Sequence, residues 1–189
     1  MLPLGSQNPN AKPGRYVPLG QQITLPGDVA TIRVMFGPQD DLFTEEAKNT
    51  LLAAPYKISA ESDRMGYRMQ GPKLPHILKA DILSDGIAPG SIQVPGHGQP
   101  IVMLGDRQSI GGYAKIATVI GADLSLLSQM RPGQSVRFAS VSREDALAAL
   151  ARLNSIGDGE ICGPDPRRQF SVRVGNALFR VDLQEILGG

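Results

Sequence analysis

In ESDRMGYRMQGPKL, residues 61–74, Arg64 and Arg68 stand four residues apart around Gly66. On a strand these positions share one face, so two planar guanidinium forks would converge on a single anion. The same spacing also suits surface arginines on a solvated edge strand. In SIQVPGHG, residues 91–98, Gln93 sits between Ile92 and Val94. It either faces solvent or supplies a paired donor and acceptor inside a pocket. His97, flanked by Gly96 and Gly98, reads as an exposed turn residue, with no Ser-His-Asp order and no metal-ligand spacing around it. The stretch GDRQSIGGYAKIATVI, residues 105–120, gathers Asp106, Arg107 and Gln108 ahead of Gly111-Gly112 and an apolar run. Its backbone N–H groups over 109–112 suit a hairpin turn or an anion-binding nest. A Walker loop is excluded, because there is no GxxxxGK[ST] pattern and no following helix.

The elements that must carry these groups are mostly short strands. VATIRVMF places Ile32, Val34 and Phe36 on one side of a two-residue period and predicts a strand from Val29. Thr44 followed by Glu45 and Glu46, with Ala47, Leu51 and Leu52 behind, predicts an N-capped helix that stops before Pro55. Further strands are expected near 56–59, 66–70, 91–94, 101–104, 115–120 and 135–138, divided by glycine and proline. Ile116, Thr118 and Ile120 alternate with Ala117 and Val119, so both faces are small or apolar, as in a strand of a closed barrel with outer cover. RPGQSVRF at 131–138 reads as a turn into a closing strand, a structural segment. Short helices are expected over 123–130 and 142–153, the second capped by Ser142 with Glu144 and Asp145 in its first turn. FSVRVGNALFRVDL, with Gly175-Asn176 between alternating runs, predicts a C-terminal hairpin. Many short strands with little helix point to a mainly β barrel or sandwich.

The chain has 189 residues, a 41% hydrophobic content and a formal net charge of +1, enough for one core and without the basic footprint of a nucleic-acid or membrane-surface binder. Partners are therefore expected to be small molecules or proteins. Residues 1–27, rich in proline and glycine, read as an extended lead-in, 28–153 as the barrel domain, and 154–189 as a connector and hairpin. The start lacks the features of a signal peptide and no run reaches a membrane span, so a cytoplasmic protein is expected. Cys162 is alone and reads as a loop thiol, and with His76 and His97 apart no zinc-type ligand set is expected.

Beyond composition, FGPQDDLFTEEA at 36–47, SDRMGYRMQGPKL at 62–74 and the long run from Ser84 to Phe138 closely resemble one family. Its members are variously called the C subunit of 5-oxoprolinase, KipI antagonist, the second subunit of allophanate hydrolase and biotin-dependent carboxyltransferase-like protein. The resemblance runs from about Val29 to Leu150. It implies a cyclophilin-like β-barrel with two or three short helices, and a preceding half with its own Gly-rich and Gln-Asp motifs.

Within the family, the ATP-dependent 5-oxoprolinase is the nearest functional match. That resemblance implies a subunit working with a related companion subunit and a third, separate one, on a small cyclic amide, with ATP and Mg in the complex. It implies Arg64 and Arg68 for anion binding, Gln93 and Gln108 for amide or carboxylate recognition, and the backbone of Gly111-Gly112 for a phosphate or oxyanion. Asp106 would be a metal-associated or general-base carboxylate; Tyr113 and Lys115 would stand at the rim, and Arg107 would belong to the substrate- or anion-binding set. The runner-up is a urea carboxylase-type carboxyltransferase. That relative has Gly-Pro where Arg107-Gln108 stand and a longer insertion after the GPK segment. This chain has no Met-Lys-Met biotin-attachment site, so no covalent biotin is expected on it. A third reading, a KipI-antagonist-like regulatory binder, acts through a partner's surface.

Overall fold

The computed structural model describes residues 27–155, 167–174 and 177–184. Ile23–Leu153 makes one compact unit, and a separate two-stranded sheet belongs to a second. Most of the lead-in, the connector around Cys162 and the Gly175-Asn176 turn lie outside the described residues.

Seven strands close the barrel: β1 (Val29–Phe36), β2 (Tyr56–Ile58), β3 (Gly66–Gln70), β5 (Ser91–Gln93), β6 (Ile101–Met103), β8 (Lys115–Val119) and β9 (Ser135–Ser140). Their order around the barrel is β1-β8-β5-β6-β3-β2-β9. Neighbours are antiparallel except at the seam, where β1 runs parallel to β9 from Val29↔Ser135 to Val34↔Ser140. The inward residues of each strand make the core: Ile32, Val34, Ile92, Val102, Ile116 and Val136 are fully buried. Burying such side chains stabilises by about 1.5–3 kcal/mol each, before the entropy of ordering them. After Lys115, β8 is small or apolar on both faces, and the strand is almost wholly buried, as expected of a covered barrel strand.

The helices follow their capping signals. α1 (Glu45–Ala53) starts where Thr44 Oγ1 accepts from the Ala47 N–H at 3.0 Å, and it buries Ala47 and Leu51 beside β9. α2 (Leu124–Ser128) follows a 3-10 turn, and the Tyr67 hydroxyl donates to the Met130 carbonyl just beyond it at 2.8 Å. α3 (Arg143–Ser155) starts where Ser142 Oγ accepts from the Asp145 N–H at 3.1 Å. In the second unit, β10 (Arg167–Val174) and β11 (Ala177–Gln184) pair antiparallel from Arg167↔Gln184 to Val174↔Ala177. A mainly β fold with a closed barrel, three helices and a C-terminal antiparallel pair matches the expectation.

Two strands depart from it. β4 (Asp81–Gly86) and β7 (Ile110–Tyr113) form a two-stranded ribbon of their own. β4 is exposed along nearly its whole length, so DILSDG carries no buried alternation by which to recognise it. Gly111-Gly112 is neither hairpin turn nor nest. It is extended strand, paired Asp85↔Gly111 and Gly86↔Ile110. Among the described residues positive φ occurs only at Gly37, Gly90, Gly98 and Gly133, so the alternating backbone hand that curls N–H groups around an anion does not arise at 111–112.

Candidate functional site

The ribbon stands beside the barrel, and between the two lies a cleft of about 340 Å³. Gly66 and Arg68 of β3 and Ile101 and Met103 of β6 line the barrel side, with Gln93 at the end of β5; Gln108 and Tyr113 line the ribbon side. Gly66 keeps the cleft open, since a Cβ there would stand 3.1 Å from the Val102 carbonyl and 3.2 Å from Ile101 Cγ2.

The two glutamines converge on Gly111. A Cβ added at Gly111 would lie 3.1 Å from Gln93 Nε2, 3.1 Å from Gln108 Nε2 and 2.7 Å from Ile87 Cδ1. The two amide nitrogens are thus no more than twice 3.1 Å apart. Gln93 is 2% exposed and its Nε2 donates to the Tyr113 carbonyl at 3.4 Å, whereas Gln108 is exposed. One fixed carboxamide and one free to adjust, separated only by a glycine, suit a planar amide or carboxylate held edge-on. Arg68 brings an exposed guanidinium to the same cleft and makes no ion pair among the described residues.

The other expected site residues lie elsewhere. β3 begins at Gly66, so Arg64 falls on the preceding turn rather than two places along the strand. Its Nε pairs with Asp106 Oδ2 at 3.0 Å, both side chains being exposed, and neither lines the cleft. Arg107 holds backbone: Nε donates to the Ile87 carbonyl at 2.9 Å and one terminal nitrogen to the Leu104 carbonyl at 3.3 Å. Lys115 is not at the rim. It is 1% exposed, and its Nζ donates to Asp85 Oδ2 at 2.8 Å and to the Gly86 carbonyl at 3.1 Å. Gln39 Nε2 also donates to Asp85 Oδ2, at 3.2 Å. The pKa of Asp85 is lowered chiefly by the Lys115 hydrogen bond, then by the Gly86 N–H and by Gln39. Arg107 and Lys115 thus fix the corner Asp85-Gly86-Ile87, where the ribbon meets the barrel.

His97 and Asp63 line the cleft although neither stood out for chemistry. His97 Nδ1 accepts from the Gln99 N–H at 3.1 Å, so a neutral ring carries its proton on Nε2. Gln99 in turn exchanges hydrogen bonds with the Gly71 backbone at 2.9 and 2.8 Å, tying the His97 turn to the loop after β3. A histidine between glycines gives no local sign of this: the chain puts the turn just after Gln93, but only barrel closure brings it to β3 and β6. Among the described residues no group of three or more His, Cys, Asp or Glu side chains is arranged to hold a metal ion, and no helix is long and apolar enough to cross a membrane.

The closed barrel and the ribbon thus enclose a cleft lined by two carboxamides and by one guanidinium that makes no ion pair among the described residues. The chain belongs to the family described as carboxyltransferase domain, subdomain A and B, which matches residues 1–140. It is similar to the C subunit of 5-oxoprolinase from Escherichia coli (strain K12), 42% identical over 62% of this chain and 38% of that protein. With the protein of the same name from Haemophilus influenzae it shares 48% identity over 53% of this chain and 32% of that one. The chain thus spans about a third of the length of these relatives. In fold it resembles the crystal structure of the K. lactis urea amidolyase, with a TM-score of 0.71 over 89% of this chain and 12% of that one, at 22% identity.

Proposed function

We propose that this chain forms part of an ATP-dependent 5-oxoprolinase and holds the cyclic amide while its companions in the assembly complete the reaction. The observation that carries this reading is the convergence of the Gln93 and Gln108 carboxamides across Gly111, in a chain 42–48% identical to two proteins named as the C subunit of 5-oxoprolinase. A lactam presents a carbonyl acceptor and an N–H donor side by side, and a carboxamide offers the complementary pair. Arg68, with no ion pair among the described residues, is a cation lining the cleft.

Hydrolysis of a lactam needs activation, because amide resonance makes its carbon a poor electrophile. ATP supplies that activation in the complex. The donor set of this cleft does not suit Mg-ATP: among the described residues Arg68 is its only permanent cation, and they hold no acidic cluster. We therefore place the nucleotide on a companion subunit, in a cytosolic assembly. The part left to this chain is to bind and orient the ring.

Reconstitution tests the reading. The full-length protein is mixed with its companion subunits, and glutamate release from 5-oxoproline is followed with and without ATP. The reading expects ATP-dependent glutamate formation that is lost in Gln93→Leu. Unchanged turnover in that variant overturns it. The family description, a carboxyltransferase domain, supports a second reading in which urea is carboxylated; transfer from carboxybiotin to urea, with no action on 5-oxoproline, would select it.

A further inference from the structure

Lys115 is a buried cation whose only carboxylate partner among the described residues stands in solvent. The Lys115 side chain is 1% exposed and the Asp85 side chain 53% exposed. A buried ammonium cannot be left unpaired without a cost of several kcal/mol, whereas an exposed carboxylate leaves its partner at little cost to itself. The pair is therefore lopsided: Lys115 needs an anion, and Asp85 does not need Lys115.

The strand registers put this pair next to the cleft. Lys115 of β8 is registered with Gln93 of β5, just past a register shift between Ile92 and Gln93, so the two residues are cross-strand neighbours. Asp85 of β4 is the partner of Gly111, over which the two carboxamides converge. The pairing of β4 with β7 shifts register between Asp81 and Asp85.

We infer that Lys115 is the anchor for the carboxylate of the bound ligand, and that Asp85 is a displaceable stand-in that fills this position until the ligand arrives. The exchange swaps one carboxylate for another on the same ammonium, so Lys115 stays neutralised throughout; the Asp85 side chain turns into water while the Gly86 carbonyl stays on Lys115 Nζ. The ligand class is a small ring or chain that carries a carboxylate near a planar amide. The inference rests on the proposed function for the identity of that acid but not for the exchange itself.

Three probes separate the two ideas: 5-oxoproline, 2-pyrrolidinone (the same ring without the carboxylate) and cyclopentanecarboxylate (the carboxylate without the lactam). Each is titrated calorimetrically into the full chain and its variants. Asp85→Asn keeps the shape and removes the charge. If Asp85 fills the position about nine-tenths of the time, its removal tightens both carboxylate probes about tenfold and leaves 2-pyrrolidinone unchanged. Lys115→Met removes the preference for the carboxylate probes. Unchanged or weaker carboxylate binding by a folded Asp85→Asn protein overturns the inference. A response of cyclopentanecarboxylate without any extra affinity for 5-oxoproline keeps the Lys115 site and sinks the 5-oxoproline reading instead. Should Lys115→Met fail to fold, carboxylate NMR of the unaltered chain decides: saturating cyclopentanecarboxylate should raise the Asp85 pKa toward its ordinary value, and no movement overturns the exchange.

Discussion

Lys115 Nζ lies 2.8 Å from Asp85 Oδ2, and through that contact a fully buried cation on the barrel grips the outer strand of the ribbon. The cation is further held by the Gly86 carbonyl and the anion by Gln39, so four groups from three parts of the chain meet at one corner. The ribbon wall of the cleft is positioned from there.

The first prediction concerns acid. Asp85 is depressed below the ordinary aspartate value of about 3.9, so its contribution to stability is complete above that value and is lost as the pH falls through the folded-state pKa. Lys115→Met removes the largest cause, and the Asp85 titration should move up. Carboxylate NMR as a function of pH measures this; an unmoved titration would assign the depression to Gly86 and Gln39 alone.

Gly111→Ala is expected to damage the cleft more than the fold. The new methyl meets Ile87 Cδ1 at 2.7 Å and both amide nitrogens at 3.1 Å. Overpacking of this kind costs about 1–3 kcal/mol. Displacing the carboxamides should weaken ligand binding by about tenfold to a hundredfold. Urea denaturation and calorimetry on the same preparation separate the two effects.

The two arginines should behave differently. Arg68→Ala removes the cation of the cleft and is expected to lower affinity for anionic ligands with stability within about 0.5 kcal/mol of the parent. Arg64→Ala breaks only the exposed pair with Asp106, so binding and stability should both change little. Equal loss of binding in the two variants would place Arg64 in the site after all.

Tyr67→Phe tests the tie between β3 and the end of α2. Its hydroxyl donates to the Met130 carbonyl at 2.8 Å in a buried setting, and deleting it should cost about 1 kcal/mol or slightly more. A shift of the urea midpoint without a change in slope is the expected signature.

What could be read in advance followed the strength of the local signal. β1 announces itself through Ile32 and Val34, and α1 through Thr44 and its two glutamates, because burial and capping impose period and position on the residues themselves. β4 and β7 do not. They bury little, so nothing forces alternation on DILSDG, and IGGY looks like a turn because glycine suits both turns and strands that others must approach closely. The site was half legible for the same reason. Gln93 is conspicuous as a polar residue in an apolar strand. Arg107 and Lys115 look like binding cations, and only the tertiary structure brings the Ile87 and Gly86 carbonyls and Asp85 to them. His97 follows Gln93 by four residues and Asp63 precedes Gly66 by three, but only the barrel order, with β5 and β3 on either side of β6, brings the two turns to one cleft.

The parallel seam between β1 and β9 has a consequence for how the protein is made. At the seam Gln134 Nε2 donates to the Gly27 carbonyl, a contact spanning 107 residues. β1 leaves the ribosome first among the barrel strands and finds its parallel partner only after β9 has emerged, several seconds later at about 5–20 residues per second. Until then its apolar face and open edge are exposed to other chains. Yield during synthesis should therefore be most sensitive to the charge and length of β1, and a chain stopped before Ser135 lacks β9 and is left with an open sheet instead of a barrel.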